Sequence, residues 1–388
     1  MHDNDIDALL RLIAAAGAAA PRKALLERNG TPTAALAAGV VEWRACRLSD
    51  AQIAALQTAD EAALNQSRRW LTSPGHHLVG WHDPDYPPLL RRGPNPPLAL
   101  FVAGDPARLW HPAVAVVGSR SPTPGGRDNA AEFALALAAS GFCVASGLAA
   151  GIDTVAHQAA LTAGCLTVAV LGTGPDVAYP RSNASLHERI AEHGVVVSEH
   201  LPGTGARPEH FPSRNRILAG LALATVVIEA AERSGALITA RLATEAGREV
   251  FAVPGSIHNP LARGCHRLIR DGAGLVESAA EVIAALAPLA QELAANLRLR
   301  LTAPISVSHG TVTPVPHDDL APEPGRYRGP GDDPDYQTLW SALGHDPTGM
   351  DQLVERTGLT PAILSSMLLL MELDGRVATQ HGRYFRNR

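Results

Sequence analysis

Lysine is almost missing from this 388-residue sequence. Of its 33 Lys and Arg residues one is a lysine, Lys23, so the other 32 are arginine. Ala24 follows it, so no GK[ST] phosphate loop exists, and Schiff-base chemistry would rest on a single residue. Cysteine is scarce as well. Cys46, Cys143, Cys165 and Cys265 stand far apart without a CxxC pair, which argues against a structural zinc site or disulfide framework and suits a reducing compartment. A basic excess is also absent: 33 cations face 38 acids for a net charge of −5. Nucleic-acid binding therefore does not follow from bulk charge, and any basic site must be local. The N-terminus opens on acidic residues, without the basic start and apolar core of a signal peptide. Phe133–Ile152 is a 20-residue run without charge, but Ser140-Gly141 and Ser146-Gly147 break it into helix, turn and strand. These features predict a soluble, cytoplasmic chain.

The length predicts two to four domains. Residues 1–75 are Ala/Leu-rich with helical spacing. Leu9, Leu10, Ile13 and Ala14 begin an apolar face, and Thr31-Pro32 and Ser49-Asp50 mark helix starts. Trp81–Gly104, with six prolines, reads as an extended connector. Within a domain set at 76–300, apolar β-branched runs alternate with Ala-rich helical runs from Ala113 to about Leu286. The predicted strands are Val114–Val117, Phe142–Ala145, Leu166–Leu171, Val195–Ser198, Thr225–Glu229 and Val250–Val253. Such alternation predicts an α/β fold, a doubly wound parallel sheet of Rossmann-like type with ligands at the carboxyl ends of its strands. Residues 301–333 read as a flexible linker. Residues 334–388 predict helix, helix–turn–helix and hairpin, with Asp374-Gly375 and His381-Gly382 as hairpin turns, the order of a winged helix.

The residues after each strand carry the functional signal. Gly118-Ser119-Arg120, followed by Gly125-Gly126 and a helix, has the small residues and free N–H groups of a phosphate cradle. Asp153 and His157, four apart, are an acid–base pair, half a metal site or simply a helix cap. Ser182 reads as a cap that leaves Arg181 at the same edge. The densest cluster is Phe211-Pro212-Ser213-Arg214-Asn215-Arg216. With Ser213 as N-cap, two arginines would oppose the helix dipole in the first turn, a conflict that a bound anion would relieve. Their removal should then leave stability unchanged or slightly improved. Arginines beside one aromatic ring are the parts of a single-stranded nucleic-acid site. Three or four of them on phosphates predict a log–log salt slope of about −2 to −3. Ser234, Gly235 and Thr239 open the next helix, suited to phosphate or to plain capping.

Together these blocks resemble the DNA-processing protein A family, also called DprA or Smf. The matching segments are Gly118–Arg120, Ser146–Asp153 with Ala156-His157, Gly172–Gly174 with Tyr179-Pro180, Phe211-Pro212 with Arg214–Ile217, Ser234-Gly235 with Thr239-Ala240, and Val253–Ser256. The flanks are similar too: a small helical, SAM-like domain before and a winged helix after. The resemblance implies a non-catalytic single-stranded-DNA-binding protein of natural transformation, without a cofactor. It implies protection of incoming DNA, help in loading the RecA recombinase, and a homodimer formed through the Rossmann-like domain. The DNA contacts it implies are Arg120, Phe211, Arg214, Asn215 and Arg216, with Arg181 near the pocket; Gly118, Ser119, Ser234, Gly235 and Thr239 join them as DNA-binding candidates from the strand ends. One departure is that Pro208, beside Arg207, stands where some relatives have a basic residue three before the Phe.

Two other readings compete. A nucleoside-monophosphate phosphoribohydrolase would need a PGGxGT run with a carboxylate, where this chain has Ser234–Thr239 without double glycine or acid. A winged-helix transcription regulator would need cations on its recognition helix, and Pro361–Leu373 has none.

Overall fold

A computed structural model describes residues 3–301, 334–344, 346–373, 376–380 and 383–386. These divide into two compact units, one of Met1–Pro122 and Gly126–Ala294, the other of Thr123–Gly125 and Ala295–Arg388.

The larger unit begins with α1 (Asp3–Ala14), α2 (Ala19–Asn29), α3 (Pro32–Ala37), α4 (Gly39–Ala45), α5 (Asp50–Gln57) and α6 (Glu61–Leu71). Both predicted starts are caps. The Thr31 side chain accepts from the Ala34 N–H, and Ser49 forms a capping box with Gln52. Leu9 and Leu10 are fully buried. These helices share their core with the sheet that follows: Leu10 and Leu64 pack with Phe101, and Leu9 and Leu25 with Leu98 and Ala99.

The sheet has nine strands: β1 (His76–Gly80), β2 (Ala99–Gly104), β3 (Ala113–Gly118), β4 (Cys143–Ser146), β5 (Thr167–Leu171), β6 (Val195–Ser198), β7 (Ala224–Ile228), β8 (Glu249–Ala252) and β9 (Gly274–Leu275). Their order is β1-β2-β6-β5-β4-β3-β7-β8-β9. The six predicted strands appear as β3 to β8 and pair in parallel. All but Glu249 and the terminal Gly118 are buried, as expected of strands covered on both faces. The connector reading of Trp81–Gly104 needs correction at its end. Its prolines stop at Pro97, and the apolar run Ala99–Gly104 pairs antiparallel to both β1 and β6.

Between the strands lie α7 (Pro88–Arg92), α8 (Pro124–Ala139), α9 (Ile152–Thr162), α10 (Ala184–His193), α11 (His210–Leu221), α12 (Gly235–Glu245) and α13 (Arg263–Arg270), and α14 (Ala279–Leu301) follows β9. They cover the sheet's two faces. Leu218 and Ala240 belong to one core cluster, Phe133 and Ala156 to the other.

The smaller unit holds α15 (Pro334–Ala342), β10 (Thr348–Gly349), α16 (Met350–Thr357), α17 (Pro361–Leu373), β11 (Val377–Gln380) and β12 (Arg383–Arg386). The strands form a three-stranded sheet in the order β10-β12-β11. Leu339, Leu353, Leu364 and Leu368 make its core. This is the winged-helix order expected. The predicted turns at Asp374-Gly375 and His381-Gly382, and residues 302–333 of the linker, lie outside the described residues.

Candidate nucleic-acid interface

Strand order reverses between β3 and β7: β4, β5 and β6 lie to one side of β3, while β7 and β8 lie to the other. Helices leaving adjacent strands toward opposite faces open a crevice at such a point. A cavity of about 620 Å³ occupies it. Gly118 at the end of β3 and Arg120 just beyond it, Tyr179 after β5, Phe211, Arg214 and Asn215 on α11, and Ser234, Gly235 and Thr239 at the start of α12 all line it. A slightly larger cavity, about 660 Å³, sits between α12 and α13; it runs from Arg248 and Glu249 at the amino end of β8 to Glu232–Ser234 after β7 and shares Ser234 and Ile238 with the first.

Helix periodicity explains the α11 contribution. Phe211, Arg214, Asn215 and Leu218 fall at i, i+3, i+4 and i+7, hence on one face, and all four line the cavity. Arg216 is two residues from Arg214 and points the other way. It pairs with Glu199 just beyond β6, with both side chains largely buried (15% and 18% exposed). Arg216 is therefore not brought into the cavity. Arg181 is exposed in a short 3₁₀ turn and does not line it either. Ser119 is buried, and its hydroxyl accepts from the Ser121 N–H at 3.1 Å.

The expected cap at Ser213 is also corrected. The helix starts a turn earlier, at His210, and the Ser213 hydroxyl donates to the His210 carbonyl at 3.0 Å. The arginines thus sit beyond the first turn, and the dipole conflict does not arise. Ser182 does not cap α10 either: Asn183 holds the N-cap position without a side-chain cap bond, and its amide donates to the Leu148 carbonyl at 3.0 Å. Ser234 does cap, accepting from the Ala236 N–H at 3.3 Å.

Arg214 is buried rather than presented. One guanidinium nitrogen donates to the carbonyl of Gly147 at 2.6 Å and to that of Val170, while Nε donates to Asn215 at 3.1 Å. It ties the ends of β4 and β5 together beneath the cavity. Burial lowers its pKa to about 10, opposed by the nearby Asp153 charge. Asp153 accepts from the N–H groups of Gly147 (3.0 Å) and Ala149 (3.3 Å), and burial raises its pKa against the Arg214 charge. His157 does not pair with Asp153. Its Nδ1 meets the Thr167 hydroxyl at 2.7 Å, and burial pushes its pKa down to about 3. Of the readings open for Asp153, the local one holds. Among the described residues no three His, Cys, Asp or Glu side chains gather as metal ligands would.

The cradle expected after β3 is already filled. Glu229, at the end of β7 with φ of 52°, lays its carboxylate against Gly126 in the first turn of α8, where any side chain would collide with it. An internal anion thus complements this helix terminus. Arg120, in contrast, is exposed, and among the described residues it has no ion-pair partner. Its charge bears on Arg214.

Among the lining residues not singled out as contacts in the sequence, Tyr179 is the aromatic one. Tyr179 packs on Phe211 with ring centroids 5.0 Å apart at 39°, and it is 44% exposed. The signal available was its place in a loop after a parallel strand, on the same edge as Phe211.

The sequence model of the DNA recombination-mediator protein A family matches residues 77–287, and that of the DprA winged helix domain matches 321–383. Protein Smf of Synechocystis is 38% identical over 316 residues, 79% of each chain. The chain belongs to the DNA recombination-mediator protein A family. Protein Smf of Escherichia coli, another relative, is 37% identical over 328 residues, 84% of this chain and 81% of that protein. The crystal structure of DNA processing protein A from Streptococcus pneumoniae superposes with a TM-score of 0.63 at 37% identity, covering 71% of this chain and 95% of that one. Every residue lining the cavity, from Val117 to Thr239, falls within the segment matched by the family.

Proposed function

We propose that this protein binds single-stranded DNA in the cavity at the β3/β7 crossover and acts as a recombination mediator in natural transformation. In this reading it protects incoming DNA, helps load the RecA recombinase, works as a homodimer formed through its Rossmann-like domain, and catalyses no reaction. The functional domains are the helical 1–75, the Rossmann-like 76–300, the linker 301–333 and the winged helix 334–388.

The observation that carries the reading is the composition of one cavity wall against the other. Arg120 and the amino end of α12 offer charge and N–H donors to a backbone, while the Tyr179–Phe211 pair offers ring surface to bases. Unpaired strands present both groups at once, whereas a duplex hides its base faces. The proposed contacts are Gly118, Arg120, Phe211, Asn215, Ser234, Gly235 and Thr239, with Arg214 shaping the floor. The Glu229 carboxylate on α8 weighs against a mononucleotide enzyme, because it fills the turn where a nucleotide phosphate would sit. Among the described residues of α17 the exposed large apolar side chains are Ile363, Leu369 and Leu370, a surface suited to a protein partner and poor for neutralising duplex phosphates.

Fluorescence anisotropy with labelled single- and double-stranded oligonucleotides tests the reading. Single strands should bind and duplex should compete poorly, and the Arg120→Ala protein should lose affinity. Equal binding of both forms, or no effect of Arg120, would overturn it.

A further inference from the structure

We infer that Tyr179 is the outer base platform of this site, the ring on which an unpaired base stacks, with Phe211 as its inner support. The inference rests on the single-strand reading above and adds which side chain reads the bases.

Phe211 is poorly placed to take a base alone. Its ring edge lies against Gly172, where a Cβ would come within 3.1 Å of Cδ1, and its neighbour across the rim is Tyr179. Only partly exposed, it has two of its sides taken by protein. Tyr179 lines the same cavity and remains 44% exposed. With centroids 5.0 Å apart and planes at 39°, the rings touch each other and leave no slot between them. A base can therefore add only outside the pair, on Tyr179, extending the stack by one ring.

An exposed aromatic reads bases well only if it is already held in place, since ordering a mobile ring costs entropy. The loop carrying Tyr179 is tethered along its length. The Gly174 N–H donates to the Thr204 carbonyl at 2.8 Å, and the Thr173 hydroxyl donates to the Val177 carbonyl at 2.6 Å. Asp176 accepts from the Gly203 N–H at 2.7 Å, and the His187 ring contacts the Pro175 carbonyl at 2.9 Å. Three bonds to two other segments and one bond within the loop fix a stretch whose tip is an open ring. Nothing in the packing of the core requires that ring to be aromatic, since so much of it faces solvent.

The test compares a thymidine oligonucleotide with an abasic one of the same length, which keeps the phosphates and removes the bases. The wild-type protein should prefer the thymidine strand. Tyr179→Ala should weaken thymidine binding about 5- to 150-fold while leaving abasic binding nearly unchanged, so that the preference disappears. Tyr179→Phe should keep the preference, because stacking needs the ring and not the hydroxyl. If wild type binds neither strand, the single-strand reading fails. If it binds thymidine strands but Tyr179→Ala keeps the full preference, that reading stands and the role of Tyr179 is overturned. Equal loss on both strands with an unchanged thermal melt would also overturn it, by showing that the ring serves the backbone path.

Discussion

The Arg214 guanidinium occupies the space over Gly147 that any side chain there would need: a Cβ on Gly147 would lie 2.5 Å from Nη2. The same guanidinium donates to the Gly147 carbonyl, so the glycine and the arginine require each other. The floor of the cavity is thus made by a cation turned inward, against backbone.

Arg214→Ala should therefore destabilise the protein. It would strand the carbonyls of Gly147 and Val170 and leave the buried Asp153 without its counter-charge, a loss of about 3–5 kcal/mol. Urea unfolding of the variant checks this. An unchanged midpoint would restore the view that this arginine is held in reserve for a ligand, the outcome a dipole-opposed arginine would have given.

Arg120 and Arg216 should separate cleanly. Arg120 is exposed and lines the cavity, so Arg120→Ala should weaken single-strand binding with a stability change of no more than about 0.5 kcal/mol. Arg216→Ala leaves the largely buried Glu199 unpaired, which should cost on the order of 2 kcal/mol with affinity little altered. A thermal melt and a binding titration on each variant decide it. The reverse pattern would place the DNA against Glu199.

Salt dependence should be shallower than a cluster of three or four arginines would give. With Arg214 turned inward and Arg120 the one exposed cation lining the cavity among the described residues, about 0.7 per contact gives a log–log slope of about −0.7. Titration between low and high sodium chloride measures it directly. A slope of −3 or steeper would mean that Arg181, Arg207 or another outlying cation also holds the strand.

Stability should fall as the solution is acidified from neutrality. His157 and His200 are held neutral by burial, with pKa values lowered to about 3 and about 4. Unfolded histidine takes up a proton near pH 6.5, so the unfolded chain binds more protons between that value and the folded pKa. Stability from these groups is complete above pH 6.5 and drains away below it. His157→Gln should reduce the slope of unfolding free energy against pH by about 1.4 kcal/mol per unit between pH 6 and 4. An unchanged slope would mean that His157 is protonated in the folded protein.

Much of this molecule was written in the linear pattern. The strands β3 to β8 needed only short apolar runs bounded by turns, and Val195–Ser198 forms a strand with the predicted limits. The winged-helix order and the caps at Thr31 and Ser49 were equally local. The common face of Phe211, Arg214 and Asn215 was not, because the predicted cap at Ser213 left Phe211 outside a helix that in fact begins at His210.

What only the tertiary structure decided was the direction in which each polar group is satisfied. Arg214 and Arg216 read alike in sequence, yet one is spent on strand-end carbonyls and the other on Glu199, because the helix between them turns them to different neighbours. The turn after β3 looked open to phosphate until Glu229, 103 residues beyond Gly126, was brought against it. Local sequence fixes periodicity and capping through short-range geometry. Pairing of buried charge depends on which distant segments the sheet order places side by side, and that order is set by burial of the whole core.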